Sequence, residues 1–147
     1  MAVPELTGFD QVTFRHEGRT HQVYRAGRGP AVIVIHEIPG IHPGMITFAQ
    51  QLLQAGYTVY LPSLFGRPGQ PASTGAVLRS ILRVCVSREF AILADRTRPV
   101  VTWLRALAAA AHRECGGPGV GTIGMCVTGG FALAMAVDPA VLAPVVS

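Results

Sequence analysis

The 147-residue sequence predicts an α/β fold, a mostly parallel sheet with helices on both faces, in a single domain over residues 1–147. Three observations predict it. Short, near-continuous apolar runs such as AVIVI, Ala31 to Ile35, mark strands covered on both faces, as parallel strands are. Longer stretches with apolar residues at helical spacing lie between them, and strands alternating with helices imply parallel connections. Half of the residues are hydrophobic and mean hydropathy is +0.41, which suits a chain of this length with a real core.

Each element has its own signal. Gln11 to Tyr24 carries a turn at Gly18 and reads as a hairpin of two edge strands. AVIVIHEI, Ala31 to Ile38, is the first buried strand, and IPGIHPG follows it as a loop. From Met45, apolar residues recur at Phe48, Ala49, Leu52, Leu53 and Ala55, with Gly56 where a helix C-terminal glycine belongs. YTVYLPSL is a second buried strand, and FGRPGQPASTG is a Gly/Pro-rich loop long enough to be functional. Val77 to Leu93 reads as helical. A separate helix opens at Pro99, a residue suited to a first turn, and carries Val100, Trp103, Leu104, Leu107 and Ala111 on one stripe. GVGTIGM is a third buried strand, GGFALAMAV the helix after it, and LAPVVS a fourth parallel strand.

Composition narrows the function classes. The net charge of +4 comes from dispersed arginines, with no lysine and no basic run, so no nucleic-acid partner is expected. No apolar stretch reaches the length of a membrane span and MAVPELTGFD is no secretory signal, so no membrane association is expected. Three cysteines without metal-ligand spacing suit a reducing cytoplasm, and neither metal nor cofactor is expected.

Ligands of parallel α/β sheets bind at the carboxyl ends of the strands. Three loops answer that description: His36 to Gly44, Leu61 to Gly75, and Met125 to Gly130. The third holds VGTIGMCVTGG, an apolar run that ends in a thiol and passes into glycines. Strand, nucleophile-bearing turn and helix make a nucleophile elbow, whose strained turn needs small neighbours. Gly124 stands two residues before Cys126, and Gly129 and Gly130 open the helix. Unpaired N–H groups there favour a thiolate and an oxyanion. The N–H of Val127 is one expected oxyanion donor and that of Ile38 the second.

GMCVTGG together with HEIPGI resembles the dienelactone hydrolase family of α/β-hydrolases, from about the hairpin to the last residue. The resemblance implies a cysteine nucleophile at Cys126. It also implies that Glu37, at the end of its strand, contacts the resting thiol and helps deprotonate it. The implied substrate is a small-molecule ester or enol lactone. Two departures stand out. Thr128 occupies a glycine position of the family's Gly-x-Cys-x-Gly-Gly elbow. The family's aspartate and histidine follow the nucleophile, whereas here Ser147 lies 21 residues beyond Cys126 and the last histidine is His112. The alternative is therefore an inactive, C-terminally truncated remnant lacking the final strands, the triad Asp and the triad His. The last strand would then leave a bare sheet edge open to self-association.

Other residues read as structural. Cys85 and Cys115 lack an elbow context. His36 alternates with Glu37 along the strand, so if Glu37 faces the thiol, His36 faces away. His42 lies in the loop at the site's mouth, and Asp138 before Pro139 reads as a turn residue. Arg67 and Arg88 could grip a substrate carboxylate, but solvated arginines are the commoner case. A flavodoxin-like domain fits the length, but no Gly-x-Gly-x-x-Gly turn follows the first buried strand.

Overall fold

The structure is a computed structural model that describes residues 6–36, 40–64, 89–125 and 128–146, with the backbone alone for 89–98. The strands are β1 (Asp10–His16), β2 (Arg19–Ala26), β3 (Ala31–Ile35), β4 (Thr58–Ser63), β5 (Val120–Gly124) and β6 (Val141–Val146). The helices are α1 (Pro43–Gln54), α2 (Glu89–Cys115) and α3 (Gly129–Met135). One six-stranded sheet runs in the order β1-β2-β4-β3-β5-β6. Its β4, β3, β5 and β6 are mutually parallel, while β2 pairs antiparallel with both β1 and β4.

Residue alternation along β3 explains the two-sided core. Ala31, Ile33 and Ile35 point to one face, where they meet Trp103, Leu104, Leu107 and Ala108 of α2 and Ala132 and Met135 of α3. Val32 and Val34 point to the other, against Met45, Ile46 and Ala49 of α1. All five β3 residues are buried, as the unbroken apolar run requires. The expected α/β class with helices on both faces is therefore the observed one.

Two readings of individual elements are corrected. The hairpin does not supply two edge strands: β1 is an edge, but β2 lies inside the sheet. Five residue pairs, Gln22↔Ser63 to Ala26↔Val59, join β2 to β4, and Val23 and Ala26 are buried. The hairpin turn itself is as tight as expected. His16 pairs with Arg19, and Glu17 and Gly18 between them have φ of 47° and 77°, the positive pair of a two-residue turn. The second correction concerns Pro99, which lies inside α2 rather than at its start. Proline's fixed φ is helical; what the helix loses there is one backbone hydrogen bond to the residue four earlier.

A polar network ties α2 to the antiparallel end of the sheet. The Tyr60 hydroxyl donates to Glu114 Oε2 at 2.9 Å and accepts from Arg25 Nε at 3.2 Å. Arg25 Nη2 also reaches Glu114 Oε1 at 2.8 Å, and the Cys115 thiol lies 3.5 Å from the hydroxyl. Burial, reinforced by the bond to Cys115, holds the phenol well above its usual pKa, so Tyr60 keeps its proton. Tyr60→Phe is expected to lower stability by about 0.5–1.5 kcal/mol, because one neutral hydroxyl is lost while the Arg25–Glu114 pair survives. A shift of the urea midpoint at unchanged slope would measure it.

Candidate functional site

The carboxyl ends of β3 and β5 lie side by side, with Ile35 in register with Gly124. β5 ends at Gly124 and α3 begins at Gly129, and the two ends lie against each other. A Cβ on Gly124 would overlap the backbone oxygen of Thr128 and come within 2.8 Å of the Gly129 Cα. Only glycine permits that approach. Gly129 is constrained from the other side, since a Cβ there would meet Val146 Cγ1 of β6 at 2.6 Å.

Thr128 closes the turn. It is 1% exposed, with φ −83° and ψ −4°, a backbone conformation open to a β-branched residue. Its N–H donates to Met125 O at 3.1 Å, and its Oγ1 accepts the Met125 N–H at 3.0 Å. The same hydroxyl lies 2.9 Å from Met125 O and 3.2 Å from Ile35 O. The threonine that departs from the Gly-x-Cys-x-Gly-Gly pattern is thus accommodated, because steric pressure falls on Gly124 instead.

The four residues expected to do chemistry, Glu37, Ile38, Cys126 and Val127, lie outside the described residues, as do Arg67, Cys85 and Arg88. The described residues fix the positions from which those segments depart: Glu37 follows His36 at the end of β3, and Cys126 follows Met125 at the end of β5.

His36 is fully buried and its Nε2 accepts the Leu64 N–H at 2.9 Å. A nitrogen that accepts a backbone N–H carries no proton of its own, so the ring is committed to joining the end of β3 to the end of β4. His42 precedes α1, and its carbonyl accepts from Met45 and Ile46 while its side chain makes no capping bond. Asp138 is the turn residue expected: its carboxylate accepts the Ala140 N–H at 2.9 Å and lies 3.6 Å from Arg105 Nε. Cys115 is a half-buried free thiol against Tyr60.

Sequence reasoning missed two features: the Thr128 hydroxyl links and the Arg25–Tyr60–Glu114 network. Nothing in local spacing signals the network, because it joins residues as distant in sequence as Arg25 and Glu114. A cavity of about 140 Å³ adjoins it, lined by residues of β1, β2, β4 and α2 and by none from the ends of β3 and β5. Among the described residues no group of His, Cys, Asp or Glu could hold a metal ion, and no helix is long and apolar enough to cross a membrane.

Residues 18–147 match the model of the dienelactone hydrolase family. The chain belongs to that family. Solved structures show the same fold. A candidate dienelactone hydrolase from Klebsiella pneumoniae subsp. pneumoniae MGH 78578 superposes with a TM-score of 0.58 at 23% identity, over 90% of this chain and 56% of that one. A candidate epoxide hydrolase from Pseudomonas aeruginosa gives 0.55 at 22% identity, over 94% and 40%. The thioesterase domain from the curacin biosynthetic pathway gives 0.54 at 18%, over 90% and 43%. This dienelactone hydrolase family member therefore spans about half the length of the structures it resembles. No curated protein matches it.

Proposed function

We propose that the protein is a hydrolase of the dienelactone hydrolase type whose nucleophile is the Cys126 thiol. The observation that carries this reading is the turn from β5 to α3. Its backbone is so tight that Gly124 admits no Cβ, and Cys126 stands within it by sequence. Such a turn presents a side chain at the carboxyl edge of the sheet, where ligands of parallel sheets bind.

In the proposed reaction the thiol passes its proton to Glu37, and the sulfur attacks the carbonyl carbon of an ester or enol lactone. The N–H groups of Ile38 and Val127 hold the oxyanion of the tetrahedral intermediate. Collapse breaks the carbon–oxygen bond to the leaving group, which takes up the proton and leaves a thioester on Cys126. Water then cleaves the thioester, releasing the carboxylic acid and restoring the thiol. Thiolates are good nucleophiles but poor bases, which favours substrates with good leaving groups, such as enol lactones, over alkyl esters or amides.

The test is acyl transfer from p-nitrophenyl acetate. The expected result is release of nitrophenolate together with an acetyl mass on the peptide bearing Cys126, both lost in Cys126→Ala. Equal nitrophenolate release from Cys126→Ala would sink the assignment. An intact protein whose Cys126 never acquires the acetyl group would equally count against the proposal.

A further inference from the structure

We propose that Thr128 is a positioning residue whose hydroxyl clamps the turn bearing Cys126 to the end of the strand leading into Glu37, and so sets the coupling between those two side chains. The inference rests on the reading of Cys126 and Glu37 given above.

The Thr128 side chain is buried, and its Oγ1 lies within hydrogen-bond distance of three backbone atoms from two strand ends. It accepts the Met125 N–H at 3.0 Å. A hydroxyl has one proton, so it donates to a single carbonyl at a time, either Met125 O or Ile35 O. Met125 O already receives the Thr128 N–H, so donation to Ile35 O at 3.2 Å is the bond that adds a new connection. That bond spans 93 residues of sequence. Met125 immediately precedes Cys126, and Ile35 stands two residues before Glu37.

The bland alternative for a threonine before a helix is a capping bond to the helix N–H groups. Thr128 makes none; its hydroxyl is directed back at β5 and across to β3. A glycine here, as in the Gly-x-Cys-x-Gly-Gly elbow, would leave the turn intact and supply no hydroxyl. The clamp is thus a property of this chain, and it joins the two backbone segments whose relative placement the proposed proton transfer depends on.

The experiment measures how strongly Glu37 is felt at Cys126, with and without the clamp. The full chain is treated with iodoacetamide across the thiol titration, and modification is read on the Cys126 peptide by mass spectrometry. In the parent protein Glu37→Gln removes the group that takes up the thiol proton, and is expected to lower the neutral-pH alkylation rate about tenfold. In a Thr128→Val background the same change is expected to have less than about a threefold effect. Thr128→Ser, which keeps the hydroxyl, is expected to restore the tenfold effect. Where valine prevents folding, Thr128→Gly serves in its place with the same expected loss. A full tenfold effect of Glu37→Gln without the Thr128 hydroxyl overturns the clamp while leaving the nucleophile assignment standing. No effect of Glu37→Gln in the parent protein overturns the Cys126–Glu37 reading, and the clamp with it.

Discussion

Replacing Trp103 with alanine is expected to cost about 3–5 kcal/mol, the range for deleting a large aromatic side chain from a packed core. The residue is fully buried in the middle of α2. Its ring is met edge-on by Phe14 of β1 at 5.4 Å and by His21 of β2 at 4.8 Å between centroids. The indole N–H also donates to Phe14 O at 3.3 Å. One side chain therefore pins the long helix to the antiparallel end of the sheet by packing, by edge-to-face contact and by a hydrogen bond. Burial lowers the pKa of His21, so the ring against Trp103 is the neutral imidazole at neutral pH. Domains of this size have about 5–15 kcal/mol in total, so the alanine variant should have little stability left. Denaturant unfolding followed by circular dichroism would show it. A midpoint within experimental error of the parent's would refute the account. Trp103→Phe, which keeps most of the ring volume, should lose markedly less.

Gly124→Ala is expected to injure function more than stability. Its methyl group would overlap Thr128 O and press on Gly129 Cα, and both obstacles are backbone that cannot rotate away. Forcing a methyl into such a contact costs about 1–3 kcal/mol, which many folds survive. The turn, however, would have to open by a sizeable fraction of an ångström at the residue before Met125. Displacements near 1 Å at a reacting group can cost about 100-fold in rate. Acetylation of Cys126 by p-nitrophenyl acetate should thus fall by at least about tenfold in a protein that still unfolds cooperatively. Parent-like acetylation of the alanine variant would show that the tight turn does not present the nucleophile.

What the sequence disclosed was what depends on local pattern. AVIVI could only be a strand covered twice, and it is. The glycine two residues before Cys126 could be read as an elbow glycine, and its contacts bear out that steric role. Pairings between distant residues were not legible. The hairpin's weak alternation gave no hint that β2 would be enclosed, since that depends on β4 arriving beside it from 35 residues away, as in the Arg25–Tyr60 contact. Pro99 misled for a different reason: its φ fits a first turn and a helix interior equally well, and only the residues before it decide. Thr128 looked like a flaw in a motif because a motif records residue types, whereas the small-residue requirement lies in the close approaches made at Gly124 and Gly129.

The strand order also has a consequence for how the chain is made. Hairpin β1–β2 can close as soon as its 17 residues, 10–26, have emerged, but β3 must wait for β5, and the Thr128–Ile35 bond beside that pair spans 93 residues. At a synthesis rate of about 5–20 residues per second, AVIVI spends roughly 5–20 seconds without its central neighbour. Its only early partner is β4, and the opposite edge stays open. The most hydrophobic strand of the sheet is therefore the one longest exposed on the ribosome. Lower growth temperature and added chaperone are therefore expected to raise the yield of folded protein.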